Sequence, residues 1–521
     1  MLKNNEKIKK AIVIILIAIM SGVIFFYQTQ KVGLHEDEGY TLCSSVNPNN
    51  GVMDAYDKGV QDPVWRTKEY VQTAMSLTPN NILNFKALYM NQAYDNHPPF
   101  FYTLVHFATL FFGGHFSLYS AFIVNIIAFI ISCFIIVKIL KLLNKENLII
   151  PVLILYGLSM GTISMVIFQR MYMLLTFFIL LYFYLSLKLY KNDFNLDKKF
   201  KIQLGITTVL GFLTQYFFAV YAFFIFAIMI IEMIRQKKDK KVIKDYIICH
   251  VIYGVLGILI FIPCIKHLIF SDRGLTNLGN AGYLAHLFTY LKHLAYAFTI
   301  NNNSSVLMLT VLAIFVAGLI YTCIKSKEKF VIFVTFIPSI FYFLINVKMT
   351  SFQELRYIMA VIPFVVLTLF FILDNLIKCK YNSIIFAIIS ILLVTNGMIY
   401  SKPKFLYENY QNCLDIANEN SEKSFVYVYD NFFNHMQSIP EMMIYEKTLI
   451  FNYNNDELRC IVDDENLNNE GSFVLSIKAY MDNDKILNEI KDNSDFKNIT
   501  LLYEGGNEDG VVNNNYYLVS K

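Results

Sequence analysis

Three consecutive acidic residues lie next to the first long apolar segment of the chain. Glu36, Asp37 and Glu38 occur in GLHEDEGYTL (33–42), shortly after the apolar run 11–29. Ionisable side chains beside hydrocarbon are expensive and usually have a function. A carboxylate that loses part of its hydration becomes a stronger base, so this cluster could take a proton from a hydroxyl group. The alternative is a solvated loop start with no chemistry.

A second polar segment, YDNHPPF (94–100), precedes another apolar stretch. Its two prolines disfavour a helix that starts earlier, so Asp95 and His97 would be presented ahead of the helix that follows. Both side chains could then contact a polar substrate. The alternative is a helix start with ordinary proline punctuation.

The elements that must position these residues are membrane helices. The chain is 56% hydrophobic with a mean hydropathy of +0.46, and its apolar stretches approach the roughly 20 residues that cross a bilayer as helix. Residues 401–521 contain 10 Lys and Arg against 21 Asp and Glu, a net charge of −11. Because the net charge of the whole chain is +4, residues 1–400 carry a net charge of +15. That excess lies in short Lys clusters between apolar stretches, where the positive-inside rule predicts cytoplasmic loops.

Placing every Lys cluster and the N-terminus in the cytoplasm predicts about eleven transmembrane helices. The predicted spans are 11–29, 118–140, 148–168, 171–190, 202–215, 217–235, 246–269, 305–324, 330–347, 357–377 and 382–400. The first outside loop is then long, covering 30–117, and it contains both polar segments.

The apolar stretch 98–114 is not counted as a span. A crossing there would invert the later loops and place the basic clusters 188–201 and 235–244 outside the cell. We expect a helix in the outer interface or one that dips part of the way into the bilayer. A full crossing is the competing interpretation.

The sequence changes character after residue 400. SFVYVYD, TLIFNY, SFVLSI, NITLLYE and YYLVS are typical of short strands, with helices near 433–446 and 480–493. We therefore predict a polytopic α-helical transmembrane domain over 1–400 and a C-terminal extracytoplasmic α/β domain over 401–521.

These features resemble a known superfamily. An Asp-Glu pair shortly after the first span, followed by D-x-H-P-P in the first outside loop, is similar to the protein O-mannosyltransferases and the aminoarabinose transferases that act on lipid A. FQRMYMLLTFF (168–178), LTQYFFAVY (213–221) and ELRYIMAVIPF (354–364) also resemble recurrent stretches of this C-type superfamily of glycosyltransferases. The resemblance covers the order of elements from residue 1 to about residue 400. The sequence of the C-terminal domain contains no motif that indicates a family.

The resemblance implies that Asp37 is the general base, with Glu38 beside it at the catalytic position. A sugar linked to phosphate already has a good leaving group, so the enzyme needs a base for the acceptor and cations for the phosphate. Proton transfer of this kind typically contributes ~10²–10⁴-fold to the rate. Glu36 has no role in the pattern.

The substrate-binding residues that the resemblance implies are Asp95, His97, Arg170, Arg356 and Tyr357. Arg170 lies at a tight outside turn, and Arg356 lies beside Tyr357 at the outer start of a span. Arginine forms forked hydrogen bonds to phosphate oxygens and keeps its charge. A single Arg that only anchors a helix end at the interface is the alternative for each.

A possible metal site involves three residues with helical spacing. His286, Tyr290 and His293 share one helix face and could bind a divalent metal or line a substrate groove, although an interfacial helix gives the same pattern. No cofactor motif such as a Walker loop, a dinucleotide fingerprint or HExxH is present in the sequence.

The predicted function is transfer of a sugar from a polyprenyl-phosphate donor to an acceptor hydroxyl at the outer membrane face, with inversion. The acceptor would be a protein, a lipid or a wall polymer, and nucleic acid is not expected. The predicted location is the plasma membrane, with the N-terminus cytoplasmic and the C-terminal domain extracellular. A transporter or flippase of lipid-linked saccharides is the alternative function, for which charged residues deep in the spans would be expected.

Overall fold

The structure, a computed structural model, describes most of the chain. The described residues are 2–47, 63–270, 282–298, 305–350, 352–430, 432–453, 458–509 and 511–521.

Nine helices in the described part of the chain are long and apolar enough to cross a bilayer. They contain 19 to 24 residues, and at 1.5 Å per residue these lengths match a hydrocarbon core of about 30 Å. The nine are Glu6–Thr29, Ser120–Leu142, Tyr172–Lys191, Phe217–Arg235, Lys240–Ile260, Val306–Lys325, Lys329–Met349, Leu355–Leu376 and Asn382–Tyr400.

A tenth candidate span is a broken helix. Glu146–Leu158 and Met160–Ile167 pass the same test together but meet at an angle of 56°. The break is at Ser159, whose backbone is extended and whose hydroxyl accepts a hydrogen bond from the N–H of Thr162. Ser159 is therefore an N-cap inside an apolar segment, and the cap explains the bend.

The predicted total of eleven spans is one or two higher than this count. The span predicted at 202–215 is the helix Lys198–Thr214, which has 17 residues and begins with basic residues. The span predicted at 246–269 ends at Ile260, and a separate helix, Cys264–Ile269, follows Pro263. Hydropathy alone recognises such apolar segments but does not show where a helix is capped or interrupted.

The apolar stretch 98–114 forms the helix Phe100–Leu110, which contains 11 residues. At 1.5 Å per residue it extends about 16 Å, roughly half the hydrocarbon core, so it is too short to cross alone. It begins directly after the two prolines, as the sequence predicts.

The other helices of the described residues are shorter, and three 3₁₀ segments are also present, two of which begin candidate spans. The α-helices are Glu36–Val46, Lys68–Ala74, Phe85–Tyr94, Tyr283–Ala297, Tyr410–Glu419, Ile439–Met442, Arg459–Val462, Glu465–Glu470 and Asn483–Asn493, and the 3₁₀ segments are Glu146–Leu148, Leu355–Val361 and Phe432–Ser438.

The chain forms two compact units. The helical unit comprises Met1–Tyr27, Gln92–Phe101 and Phe122–Pro403, and the sheet unit comprises Gln28–Asn91, Tyr102–Ala121 and Lys404–Lys521. Most of the first predicted outside loop therefore belongs to the same unit as the C-terminal residues.

The sheet unit contains a six-stranded mixed sheet and a two-stranded ribbon. The strands in chain order are β1 (Val64–Thr67), β2 (Ser424–Tyr429), β3 (Lys447–Asn452), β4 (Ser472–Lys478), β5 (Asn498–Tyr503), β6 (Asn507–Glu508), β7 (Val511–Val512) and β8 (Asn514–Ser520). The order in the sheet is β1-β3-β2-β4-β8-β5, while β6 pairs with β7. Strand β2 is parallel to β3 and β4, and the remaining pairs in the sheet are antiparallel.

The central strand β2 is buried along its whole length, as expected for a parallel strand that is covered on both faces. One apolar core includes Val428, Phe451 and Leu475, together with Ile486 and Ile490 from the amphipathic helix Asn483–Asn493. The predicted α/β character of the C-terminal residues is thus confirmed, and all five predicted strands are present. Strand β1 comes from the first loop and was not predicted.

Candidate active site

Asp37 lies in the first turn of the helix Glu36–Val46, and the side chains of His35 and Glu38 cap that turn. The Nδ1 atom of His35 accepts a hydrogen bond from the N–H of Asp37 at 3.0 Å, and the carboxylate of Glu38 accepts one from the N–H of His35 at 2.8 Å. This reciprocal capping box satisfies backbone donors that a helix start leaves without partners. The start of the acid-bearing helix is therefore fixed at its first turn.

Glu38 is completely buried in an ion pair. Its Oε2 atom accepts a hydrogen bond from the ammonium group of Lys31 at 3.0 Å, and both side chains are 0% exposed. Lys31 also donates to the backbone oxygen of Phe405 at 2.5 Å and lies over the ring of Tyr407. Burial lowers the pKa of Lys31, while the Glu38 carboxylate opposes that shift. Glu38 therefore holds the backbone in place and is enclosed by protein.

The three acids differ in their environments. The side chain of Asp37 is 27% exposed, while that of Glu38 is 0% exposed. The Oε2 atom of Glu36 accepts a hydrogen bond from Gln437 at 2.7 Å. The helix N-terminus favours negative charge at all three positions. Glu36 and Asp37 are both partly exposed, but the carboxylate of Glu36 is held by Gln437, so Asp37 is the better candidate for a base.

The other end of this helix is also held by side chains. Asn91 donates to the backbone oxygens of Ser44 at 3.1 Å and Asn47 at 2.6 Å, and Asn81 donates to that of Val46 at 2.7 Å. These bonds satisfy carbonyls that a helix end leaves without intrahelical partners. His106 adds a further bond, because its Nδ1 atom is 2.7 Å from the oxygen of Ser45 and must donate to it. The helix is thus a rigid support for Asp37.

Asp95, His97 and Arg170, all in the helical unit, form one hydrogen-bonded chain. His97 Nδ1 lies 2.9 Å from Asp95 Oδ2, and Arg170 Nη2 lies 3.0 Å from His97 Nε2. A guanidinium group can only donate, so His97 accepts at Nε2 and donates its Nδ1 proton to Asp95. Burial would raise the pKa of Asp95, but His97 and Arg170 hold it well below its usual range. The structure brings these three predicted residues together.

The turn that carries Arg170 is held by one buried amide. Asn125, in the span Ser120–Leu142, donates to the backbone oxygen of Phe168 at 2.8 Å and lies 3.3 Å from those of Val166 and Arg170. Asn125 is 0% exposed and Arg170 is 2% exposed. A buried polar network of this kind fixes the position of a charged group.

Arg356 is paired with an acid close to it in sequence. Its Nη2 atom donates a hydrogen bond to Oε1 of Glu354 at 3.1 Å, and its Nε atom lies 3.1 Å from Oε2 of the same carboxylate, which makes a close ion pair. The guanidinium group also lies 5.1 Å from the ring of Tyr357 and 6.0 Å from that of Phe168. Phe168 in turn accepts the backbone hydrogen bond of Arg170 at 2.7 Å. Aromatic contacts therefore connect the surroundings of the two predicted arginines.

The stripe of His286, Tyr290 and His293 lies on the helix Tyr283–Ala297 and contacts the segment before Arg356. Tyr290 lies 2.5 Å from the hydroxyl of Thr350, and His293 Nε2 lies 2.8 Å from the backbone oxygen of Gln353. Within the residues that the structure describes, no group of three or more His, Cys, Asp or Glu side chains could hold a metal ion. Two members of the stripe therefore support the segment that leads to Glu354 and Arg356.

Several residues of the site have no clear motif in the sequence. Lys31 is a single basic residue just outside the first span, seven positions before Glu38, and that spacing is its only signal. Asn91 and His106 act at a helix end 44 or more residues away from their own positions. Glu354 is part of a recognised stretch, but only the structure shows its pairing with Arg356.

Neither a family model nor a curated protein matches the sequence. Among solved structures, the chain is similar to ArnT from Cupriavidus metallidurans bound to undecaprenyl phosphate, with 10% identity, 98% coverage of each chain and a TM-score of 0.55.

The chain is also similar to an archaeal oligosaccharyltransferase. The apo form from Archaeoglobus fulgidus has 11% identity over 92% of this chain and 71% of that one, with a TM-score of 0.50. The same organism's AglB in complex with an inhibitory peptide and a dolichol-phosphate has 12% identity, coverages of 93% and 71% and a TM-score of 0.48. The chain therefore shares the overall fold of ArnT and of the archaeal oligosaccharyltransferase, which is the fold that the sequence resemblance implies.

Proposed function

We propose that the protein transfers a sugar from a polyprenyl-phosphate donor to an acceptor hydroxyl at the outer membrane face, with Asp37 as the general base. The observation that carries the proposal is the likeness to ArnT over 98% of both chains, since that structure has undecaprenyl phosphate bound. The position of Asp37 at a fixed helix start supports it independently. The acceptor would be a protein, a lipid or a wall polymer.

The reaction would be a single displacement. Asp37 takes the proton of the acceptor hydroxyl while its oxygen forms a bond to the anomeric carbon. The bond from that carbon to the phosphate oxygen breaks, and polyprenyl phosphate leaves with the electron pair. Attack from the face opposite the leaving group inverts the anomeric centre. Glu38, although predicted as catalytic, would instead keep the helix start in place, because it is buried in its pair with Lys31.

The donor phosphate would be bound by arginine. Arg170 and Arg356 are 2% and 5% exposed, and burial strengthens the interaction of a guanidinium group with phosphate oxygens. Asp95 and His97 would fix the orientation of Arg170, and Tyr357 would do the same for Arg356. Negative charge that develops on the departing phosphate would then be stabilised without reorganisation of these groups.

The transporter alternative rests on acids within or near the spans, and the structure does not favour it. Glu232 accepts hydrogen bonds from Arg235 at 2.6 Å and 2.7 Å. Asp374 accepts from Lys145 at 2.8 Å and from Asn147 at 3.1 Å. Both acids are paired with cations close to the ends of their helices, which accounts for their presence beside the hydrocarbon without a transported substrate.

The general base is tested by Asp37→Asn in membranes that contain the full-length chain and a labelled undecaprenyl-phosphate sugar. The variant keeps the size and the helix-start position but cannot accept a proton, so we expect transfer to fall by about 10²–10⁴-fold. Asp492→Asn, at an exposed position of the sheet unit, is the matched control and should retain full activity. Undiminished transfer by Asp37→Asn would remove this residue from the mechanism.

The proposed membrane orientation is tested by cysteine labelling from outside intact cells. In a Cys379→Ser background, which removes an exposed native cysteine, a cysteine is introduced at Asn195 or at Asp492, both exposed. We expect an impermeant maleimide to label Asp492→Cys and to leave Asn195→Cys unlabelled until the membrane is opened. The reverse pattern would place the C-terminal residues in the cytoplasm and exclude an outer-face reaction.

A further inference from the structure

The helix that carries Asp37 is joined to the C-terminal sheet by two successive hydrogen bonds within the sheet unit, one part-buried and one buried. Gln437 donates from Nε2 to the carboxylate of Glu36 at 2.7 Å, and its Oε1 atom accepts from the ammonium group of Lys478 at 2.6 Å. Gln437 is 6% exposed and Lys478, the last residue of β4, is 2% exposed. A lysine can only donate and a carboxylate can only accept, so the amide has one possible orientation.

A second contact fixes the same two segments against each other. A Cβ atom added at Gly39 would lie 2.9 Å from both the Cβ and the backbone oxygen of Met436, the residue before Gln437. The helix and the Phe432–Ser438 segment therefore approach each other so closely that only glycine fits without a shift. This close packing is independent of the hydrogen bonds.

The space around this junction is too small for a substrate. The cavity that Lys478 lines, together with Leu34, Gln437 and Asn514, has a volume of about 10 Å³. Such a volume holds about one water molecule and excludes a sugar or a phosphate. The buried Lys478 is therefore part of a joint between elements and does not form a ligand site.

We propose that Gln437 and Lys478 are positioning residues for the transfer reaction, which anchor the first turn of the helix and so orient Asp37. The inference rests on the proposed function, because it assigns these residues to the action of the general base. Glu36 directly precedes Asp37, and holding its side chain limits the motion of the turn on which Asp37 lies. A displacement of about 1 Å at a reacting group can cost about 10²-fold in rate.

The consequence is a specific kinetic pattern. Loss of the anchor should lower kcat, because the base would be misplaced, and leave the KM of the donor unchanged, because neither residue is among those proposed to bind phosphate. A merely structural role would instead reduce the amount of folded protein without changing kcat per folded molecule. Trp65, the single tryptophan of the chain, lies on β1 and reports on the folding of the sheet unit.

The test compares Gln437→Leu with Gln411→Leu in the full-length protein in detergent. Gln411 is exposed on the helix Tyr410–Glu419 and undergoes the same chemical change, so it is the matched control. We expect Gln437→Leu to lower kcat by about 10- to 100-fold, with Trp65 fluorescence unchanged, and Gln411→Leu to resemble the wild type. An unchanged kcat in Gln437→Leu, with an active wild type, would overturn the proposal.

A reversed pair provides the rescue. In Glu36→Gln with Gln437→Glu, the new amide donates to the new carboxylate, which also pairs with Lys478, so both bonds and the net charge are kept. We expect this double variant to recover most of the lost kcat. Failure to recover would show that the amide of Gln437 acts in some way other than by anchoring Glu36, and would contradict the proposal.

Hydrogen exchange of a peptide that covers 34–42 distinguishes this proposal from the proposed function. The N–H groups of Glu38 and Gly39 donate to His35 in the first turn, so release of the anchor should accelerate their exchange in Gln437→Leu and not in Gln411→Leu. If the wild type shows no transfer, the proposed function fails while faster exchange still establishes the anchor. Equal exchange in Gln437→Leu and wild type would refute the anchor, whatever the activity.

Discussion

The helix Glu36–Val46 of the sheet unit, called the acid helix below, and the hydrogen-bonded residues Asp95, His97 and Arg170 of the helical unit use polar groups in opposite ways. In the first, buried charges hold the backbone: Glu38 is 0% exposed and Asp37 is 27% exposed. In the second, the predicted functional side chains bind directly to one another, with separations of 2.9 Å and 3.0 Å.

The difference predicts how a substitution would affect each region. Where buried polar groups fix a backbone, the loss of one partner leaves a buried charge without compensation and destabilises the fold. Where functional side chains orient one another, the loss of one member changes the electrostatics of the site and leaves the helices around it intact. Substitutions in the buried Lys31–Glu38 pair should therefore be detected as lost stability, and those of Asp95, His97 or Arg170 as lost substrate affinity.

The largest expected effect is that of Lys31→Met. Methionine fills a similar space but leaves the buried carboxylate of Glu38 without a cation, so the free energy of unfolding should fall by about 3–5 kcal/mol. Urea unfolding of the full-length chain in detergent, followed by the fluorescence of Trp65, measures this change because all three residues belong to the sheet unit.

The double variant Lys31→Met with Glu38→Gln is the control for this effect. It removes both charges but keeps an acceptor for the N–H of His35, and we expect it to recover much of the lost stability. If Lys31→Met is as stable as the wild type, the buried pair does not hold the helix start and the contrast between the two regions is wrong.

Hydropathy and the pattern of apolar and polar residues predict much of the fold, because both are properties of residues that are close together in the sequence. Apolar runs of about 20 residues indicated the membrane helices, and β2 to β5 and β8 follow from short β-branched and aromatic runs. The bend at Ser159 depends on a single cap inside an apolar run and was not visible in this pattern. Strand β1 has the sequence VWRT and is defined by its pairing with β3, where Val64 lies opposite Ile450.

The sequence identified the polar segments of the site but could not separate the roles of adjacent acids. Glu36, Asp37 and Glu38 are chemically similar, and their partners Gln437 and Lys31 distinguish them only in three dimensions. The order Asp95, His97 indicated a presented pair, and the structure adds the contact of His97 with Arg170. Long-range partners decide the role of each residue, and one sequence does not record them.

A smaller effect is expected from Glu441, a buried acid near the Gln437 junction. Its carboxylate accepts a hydrogen bond from Tyr516 at 2.6 Å, and burial raises its pKa from 4.5 to about 7. Between these two values the folded state binds more protons than the unfolded state, so stability falls as pH rises through this window. At about 1.4 kcal/mol for each pKa unit, the fall from pH 4.5 to 7 is at most about 3 kcal/mol.

Glu441→Gln is neutral at every pH and should remove most of this slope. Trp65 fluorescence in urea, recorded between pH 5 and 7, measures it, with Glu446→Gln at an exposed position as the matched control. The range stops at pH 7 because burial lowers the pKa of Lys478 to about 8, which adds a slope of the opposite sign at higher pH. Parallel slopes for Glu441→Gln and the wild type would show that Glu441 is ionised in the folded protein throughout.

The smallest expected change in stability, and the sharpest test of the comparison, is Arg170→Ala. A hydrogen bond to a charged group contributes about 1.5–3 kcal/mol, so we expect the KM of a labelled polyprenyl-phosphate sugar to rise by about 10- to 100-fold. Size-exclusion profiles and thermal midpoints of the full-length chain in detergent should stay close to those of the wild type, because Asn125 holds the turn through backbone oxygens. Arg170→Lys keeps the charge without the forked geometry and should give an intermediate KM. An Arg170→Ala variant that unfolds more readily while its KM stays unchanged would show that Asp95, His97 and Arg170, like the buried pair of the acid helix, serve to hold the backbone.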